Sequence, residues 1–270
     1  VLGFHEVESW PSVYVRRGAT PEDTLAFALC VDDLTMLGGT TLRPTIKNLR
    51  KHIETEDPVI IDRYLGCNHT INTTGEKPNR VTTVAWEMRL FLEQALTIFY
   101  EKTGVHTLRK AATPYPPDIP RDQQDKLLED PGLWGSHAAS LLMKLLYAAR
   151  MCRPDLSTAI HRLAGNITKW NGECDRRVAR LYGYVLHSLG HHLTGTLAEG
   201  DLQPGNLELR LWCDSDLAGD WMSSRSTAGI WVELASRSSG NTFPLSWSSR
   251  KAEGTSPGTP EAELVSLNLG

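Results

Sequence analysis

The stretch from Ala112 to Pro120 carries four prolines, at 114, 116, 117 and 120. Proline fixes φ and lacks a backbone N–H, so this stretch can form neither a helix nor an inner strand. The chain must cross it as a linker or an extended strap. A second break falls at Arg153-Pro154, because the residue before a proline is pushed out of the helical region. Hydrophobic periodicity sets the elements around these breaks. Leu25–Val31 is a strand-like run, Asp32-Asp33 interrupt it, and Leu34–Leu37 resume it, which predicts a hairpin with acids at its turn. Gly38-Gly39 end the second strand, and Thr40 can cap a helix running to about Glu54. Ile60–Ile71 reads as strands around Gly66, and Val81–Lys102 has helical spacing through Val84, Met88, Leu92, Ala95 and Phe99.

Beyond the strap, helices are expected over Ser140–Arg150, Asp155–Trp170 and Asp175–Leu189, then a turn-rich boundary over Leu193–Asn206. From Leu207 the pattern changes to strands, over residues 207–214, 226–234 and 243–250, and Glu261–Leu269 reads as the first turns of a helix. The predicted class is α+β.

Hydrophobic content of 40% and charged content of 22% over 270 residues fit one large globular domain or two ordinary ones. The net charge of -4 argues mildly against a nucleic-acid enzyme, although a local patch matters more than the sum. Arg176, Arg177 and Arg180 form such a patch at helical spacing and read equally well as a solvated helix face. The five cysteines are odd in number, scattered and without a CxxC pair, which fits neither a disulfide framework nor a zinc knuckle. A reducing, intracellular compartment is expected. The apolar stretch Ala138–Ala149 is interrupted by Lys144 and is shorter than the roughly 20 residues a bilayer needs. No membrane contact and no signal peptide are expected.

Asp32-Asp33 is the sharpest chemical signal. Adjacent carboxylates repel, and a divalent cation such as Mg²⁺ offsets the repulsion. Taken alone, an Asp-Asp turn is commonplace, because aspartate bonds its own backbone in turns. His187 and His191 stand at i, i+4, but no glutamate follows His187, and a helix-end cluster accounts for them better than zinc. The tryptophans, including Trp212, Trp221, Trp231 and Trp247, could stack bases, yet in a strand-rich region most are expected in or near a core.

Eight segments resemble, in order, the copia-type retrotransposon Pol polyprotein. Ala28-Leu29-Cys30-Val31-Asp32-Asp33 resembles the Tyr-x-Asp-Asp box of reverse transcriptases, with Cys30 at the tyrosine place. Tyr64-Leu65-Gly66, Ala112-Thr113-Pro114, Leu146-Tyr147 with Cys152-Arg153-Pro154-Asp155, and Trp212 through Asp220 follow. Arg225-Ser226-Thr227-Ala228-Gly229, Ser246 through Lys251, and Glu261-Ala262-Glu263 complete the series.

The resemblance implies a reverse-transcriptase palm and thumb remnant over 1–130, connection helices over 131–200 and an incomplete ribonuclease H-like mixed sheet over 201–270. It implies an RNA-directed DNA polymerase with ribonuclease H activity, acting on an RNA–DNA hybrid or an RNA template with a DNA primer. Asp32 and Asp33 would hold Mg²⁺ at the polymerase site, and Asp214 and Glu263 at the nuclease site. Asp216 and Asp220 are expected at the surface or in turns. The family's further acids, upstream of Asp32 and downstream of Glu263, have no counterpart, and Pro257-Gly258-Thr259-Pro260 replaces a polar segment. The chain is therefore expected to be truncated at both ends and weak or inactive as an enzyme. The alternatives are a non-catalytic hybrid-binding fragment or an inactive transposon relic.

Overall fold

The structure is a computed structural model, and it describes residues 2–20, 23–117, 130–220 and 225–269. Two compact units meet in sequence at Tyr64/Leu65.

The first unit is an antiparallel meander of β1 (His5–Val7), β2 (Trp10–Arg16), β3 (Leu25–Cys30) and β4 (Asp33–Leu37). Helix α1 (Leu42–Leu49) follows, and a two-residue strand, β5 (Arg63–Tyr64), closes the unit. The predicted hairpin is present, with Cys30 paired to Asp33 across a two-residue loop. Helix α1 is shorter than the expected run to Glu54, and Thr40 does not cap it. Small units lack apolar material for a deep core; here Leu25 is fully buried, and the half-buried Phe27 packs among neighbouring rings. It stacks on Tyr14 at 4.7 Å and meets Phe4 edge-on at 4.8 Å.

The second unit begins with β6 (Cys67–Thr74), β7 (Val81–Glu87) and α2 (Arg89–Thr103). Helices α3 (Gly135–Met151), α4 (Ser157–Ala164) and α5 (Gly172–His187) follow, then β8 (Leu193–Ala198). Strands β9 (Leu207–Asp220), β10 (Arg225–Ser236) and β11 (Thr242–Lys251) form an antiparallel meander, and α6 (Thr259–Leu269) ends the chain. The core is helical. Leu92, Phe99, Leu141, Leu145, Ile160 and Leu181 are all buried in one cluster. Phe99 stacks on Tyr182 at 4.3 Å, and the buried Tyr182 hydroxyl donates to the Leu141 carbonyl.

Two stretches differ in class from the sequence expectation. Val81–Glu87 is a strand rather than the start of a helix, and Leu193–Ala198 is a strand rather than a turn-rich boundary. The two pair with each other, Thr83 opposite Thr196, with their hydroxyls 3.1 Å apart. Val81, Thr82, Thr83 and Val84 are β-branched and favour the pleated state once a partner strand exists. Gly195 matters here, because a Cβ there would lie 2.6 Å from the Phe243 ring of β11. The Asp155–Trp170 helix is broken into a short 3₁₀ turn (Pro154–Leu156), α4 and a second 3₁₀ turn (Ile167–Lys169). Asn171 caps α5 by accepting from the Cys174 N–H, so that helix starts three residues earlier than expected.

The described part of the proline-rich stretch has neither helix nor strand, as proline chemistry requires; Pro120 lies outside the described residues. It runs as a strap over α5. Gly183 allows the Arg109 carbonyl to approach the helix where any Cβ would clash. Further along, the Tyr115 ring lies under the guanidinium groups of Arg162 and Arg177, at 5.3 and 4.8 Å. The basic patch is thus largely engaged. Arg176 and Arg177 pair with Glu173, and Arg180 donates to Thr113. No helix among the described residues is long and apolar enough to cross a membrane.

Candidate nucleic-acid and metal sites

The first predicted acid pair sits on the β3–β4 hairpin. Asp32 is the second loop residue and Asp33 opens β4; both are exposed. The first loop residue, Val31, has φ of 55°, a region that favours glycine. Tyr64 lies close by. Burial pushes its phenol up, a hydrogen bond with Thr35 opposes this, and the charges of Cys30 and Asp33 add to the rise.

The second pair lies in the second unit. Asp214 is exposed on β9, opposite Gly229 of β10. Side chains alternate along a strand, so Trp212, Asp214 and Asp216 share one face. Helices α3 and α4 line this face. Thr158 donates to Ser249, Arg162 donates to Asp216 at 3.0 Å, and the Trp247 indole N–H donates to the Ala149 carbonyl at 2.8 Å. Glu263 is half-buried on α6, which packs against β9 and β10 through buried Ala262 and Ser266. One turn beyond Glu263, the Ser266 hydroxyl donates to the Asp214 carbonyl at 3.0 Å. The helix that bears one predicted acid is therefore fastened to the strand that bears the other. Pro260 sits in the first turn of α6, where a missing N–H is harmless.

The donor set suits a hard divalent cation, since all four predicted ligands are carboxylates. Among the described residues, no group of three or more His, Cys, Asp or Glu side chains gathers as a metal site. His187 instead meets the Gly183 carbonyl of its own helix, and His191 lies edge-on to Tyr184.

Asp216 is part-exposed, in keeping with the surface place expected, but it is engaged. It pairs with Arg162 and accepts from the Thr227 backbone N–H at an irregularity in the β9–β10 register. The side chain of Asp220 and all of Trp221 lie outside the described residues. A groove of about 410 Å³ opens beside Asp214, between the Pro154–Thr158 segment and the sheet. Sequence reasoning missed it, because its two walls lie far apart along the chain.

No family model and no solved structure matches the chain. Over 98% of its length it is 26% identical to the "Retrovirus-related Pol polyprotein from transposon RE1" of Arabidopsis thaliana. The chain spans 16% of that polyprotein's length. The likeness, reaching nearly from end to end, supports a protein related to retrotransposon Pol.

Proposed function

We propose that the chain is the end of a copia-type reverse transcriptase followed by part of a ribonuclease H-like domain. Its ligand in this reading is an RNA–DNA hybrid, or an RNA template with a DNA primer. Asp32 and Asp33 hold Mg²⁺ at the polymerase site, and Asp214 and Glu263 hold it at the nuclease site. A bound Mg²⁺ would supply charge stabilisation at the phosphate under attack. The ordered motifs support the reading, and the observation that carries it is the likeness to a retrotransposon Pol polyprotein over 98% of the chain.

Two carboxylates per site are few for catalysis, and no larger acidic group gathers among the described residues. That favours the second reading, a fragment that grips a hybrid through backbone contacts with little turnover. The test is hybrid binding across a salt series, alongside Mg²⁺-dependent primer extension and RNA-strand cleavage. Affinity should fall as salt rises, with little product in either assay. Robust extension or cleavage would restore full catalysis to the chain. Absence of hybrid binding at low salt would leave only an inactive relic.

A further inference from the structure

The groove beside Asp214 lies between the Pro154–Thr158 segment and the sheet. Its floor is an indole row: Trp212, Trp231 and Trp247 are direct cross-strand partners on β9, β10 and β11. Trp231 and Trp247 stack, with ring centres 5.7 Å apart and planes 27° apart. All three indole N–H groups are engaged. Trp212 and Trp231 donate to the two oxygens of Glu233, at 3.2 and 2.9 Å, and Trp247 donates to the Ala149 carbonyl. The ring edges are thus tied down, and what remains to offer is π surface. Trp212 is 58% exposed and lines the groove, so its ring face is open to a ligand there. Asp214, which also lines the groove, only accepts hydrogen bonds when ionised.

We propose that this groove binds an unpaired nucleobase bearing an exocyclic amino group. The base stacks on Trp212, and its amine donates to the Asp214 carboxylate. The volume of about 410 Å³ falls among small-ligand sites. Stacking accepts any base, because every base has a π face. The acceptor-only carboxylate adds the preference: adenine and cytosine present an amino donor, whereas thymine presents a carbonyl acceptor at the equivalent position. This rests on the nucleic-acid reading above but requires no metal.

The test is a binding titration of the full chain in EDTA with labelled oligo(dA), oligo(dC) and oligo(dT), and with an RNA–DNA hybrid in parallel. Oligo(dA) and oligo(dC) should bind more tightly than oligo(dT). Trp212→Leu keeps apolar bulk without an aromatic face and should weaken oligo(dA) about tenfold; Trp212→Phe should restore most of that. Asp214→Asn should erase the preference over oligo(dT). Hybrid affinity, with its bases paired, should be unmoved by Trp212→Leu. Equal oligo(dA) affinity in the parent chain and Trp212→Leu overturns the groove proposal, and the Pol reading then stands if the hybrid still binds. Affinity for neither nucleic acid overturns both.

Discussion

The hydroxyl of Ser266, buried on α6, donates to the backbone carbonyl of Asp214 on β9 at 3.0 Å. Replacing it with alanine removes that donor and should cost about 1 kcal/mol. In the proposed reading, Asp214→Asn and Glu263→Gln should each move stability by less than about 0.5 kcal/mol while weakening Mg²⁺ binding, as read by titration calorimetry. If both residues hold one ion, the double variant should lose no more affinity than either single one. Additive losses would mean two separate ions.

Arg153 is only 1% exposed and is held on every side. It makes a forked pair with Asp155 and donates to both the carbonyl and the hydroxyl of Ser188. The Tyr184 hydroxyl donates to the same carboxylate. Arg153→Ala strips this cluster and should destabilise by about 3–5 kcal/mol in urea denaturation. Arg153→Lys should recover little, because an ammonium cannot form the fork. A loss below about 1 kcal/mol would show that the cluster does not hold α3, α5 and the turn between them together.

Asp201 ties the end of β8 to the β10–β11 turn. Burial pushes its carboxyl up, but hydrogen bonds from the Ala198 N–H, Asn241 and Ser236 outweigh this and hold it at about 2. The folded value lies below the roughly 3.9 of an unfolded aspartate. Its stabilisation is therefore complete above that value and fades as pH falls through about 2. Melting curves of the parent chain and Asp201→Ala should differ widely at neutral pH and converge in strong acid. A constant gap across that range would contradict the account.

Val31 stands in the first loop position of the Asp32–Asp33 hairpin with φ of 55° and 87% exposure. It buries almost nothing there and bears a backbone conformation costly for a branched residue. Val31→Gly should stabilise the first unit by about 1 kcal/mol, measured by thermal melting, with the hairpin register kept. Destabilisation would show that the valine makes contacts that outweigh the strain.

The five thiols should divide by burial. Cys67, Cys152 and Cys174 are buried, and Cys30 and Cys213 are partly exposed. A hydrogen bond with Cys67 and burial both push the Cys152 thiol well above its ordinary range, and burial raises Cys174; the same hydrogen bond lowers Cys67, whose protection rests on its complete burial. Thiolates, not thiols, react. Labelling of the native chain should therefore modify Cys30 and Cys213 first, and the other three only on unfolding, as read by peptide mass mapping. Fast labelling of Cys152 would mean that the helical core opens readily.

What the residues decide alone is local. The Leu25–Leu37 hairpin, the breaks at the prolines, the three strands after Leu207 and the last helix follow from periodicity and turn chemistry within a dozen residues. The resemblance of short motifs, taken in order, nominates Asp32, Asp33, Asp214 and Glu263 as candidates without any coordinates. Packing decides the rest. Val81–Glu87 becomes a central strand, held on one side by its hairpin neighbour β6 and on the other by Leu193–Ala198, more than a hundred residues later, and no local window can see that second partner. Asp216 becomes an anchor because α4 brings Arg162 to it. The groove exists because α4 and the indole row of β9–β11 face each other. Apolar burial is non-directional, so a sequence declares which residues seek cover and leaves their partners to the tertiary fold.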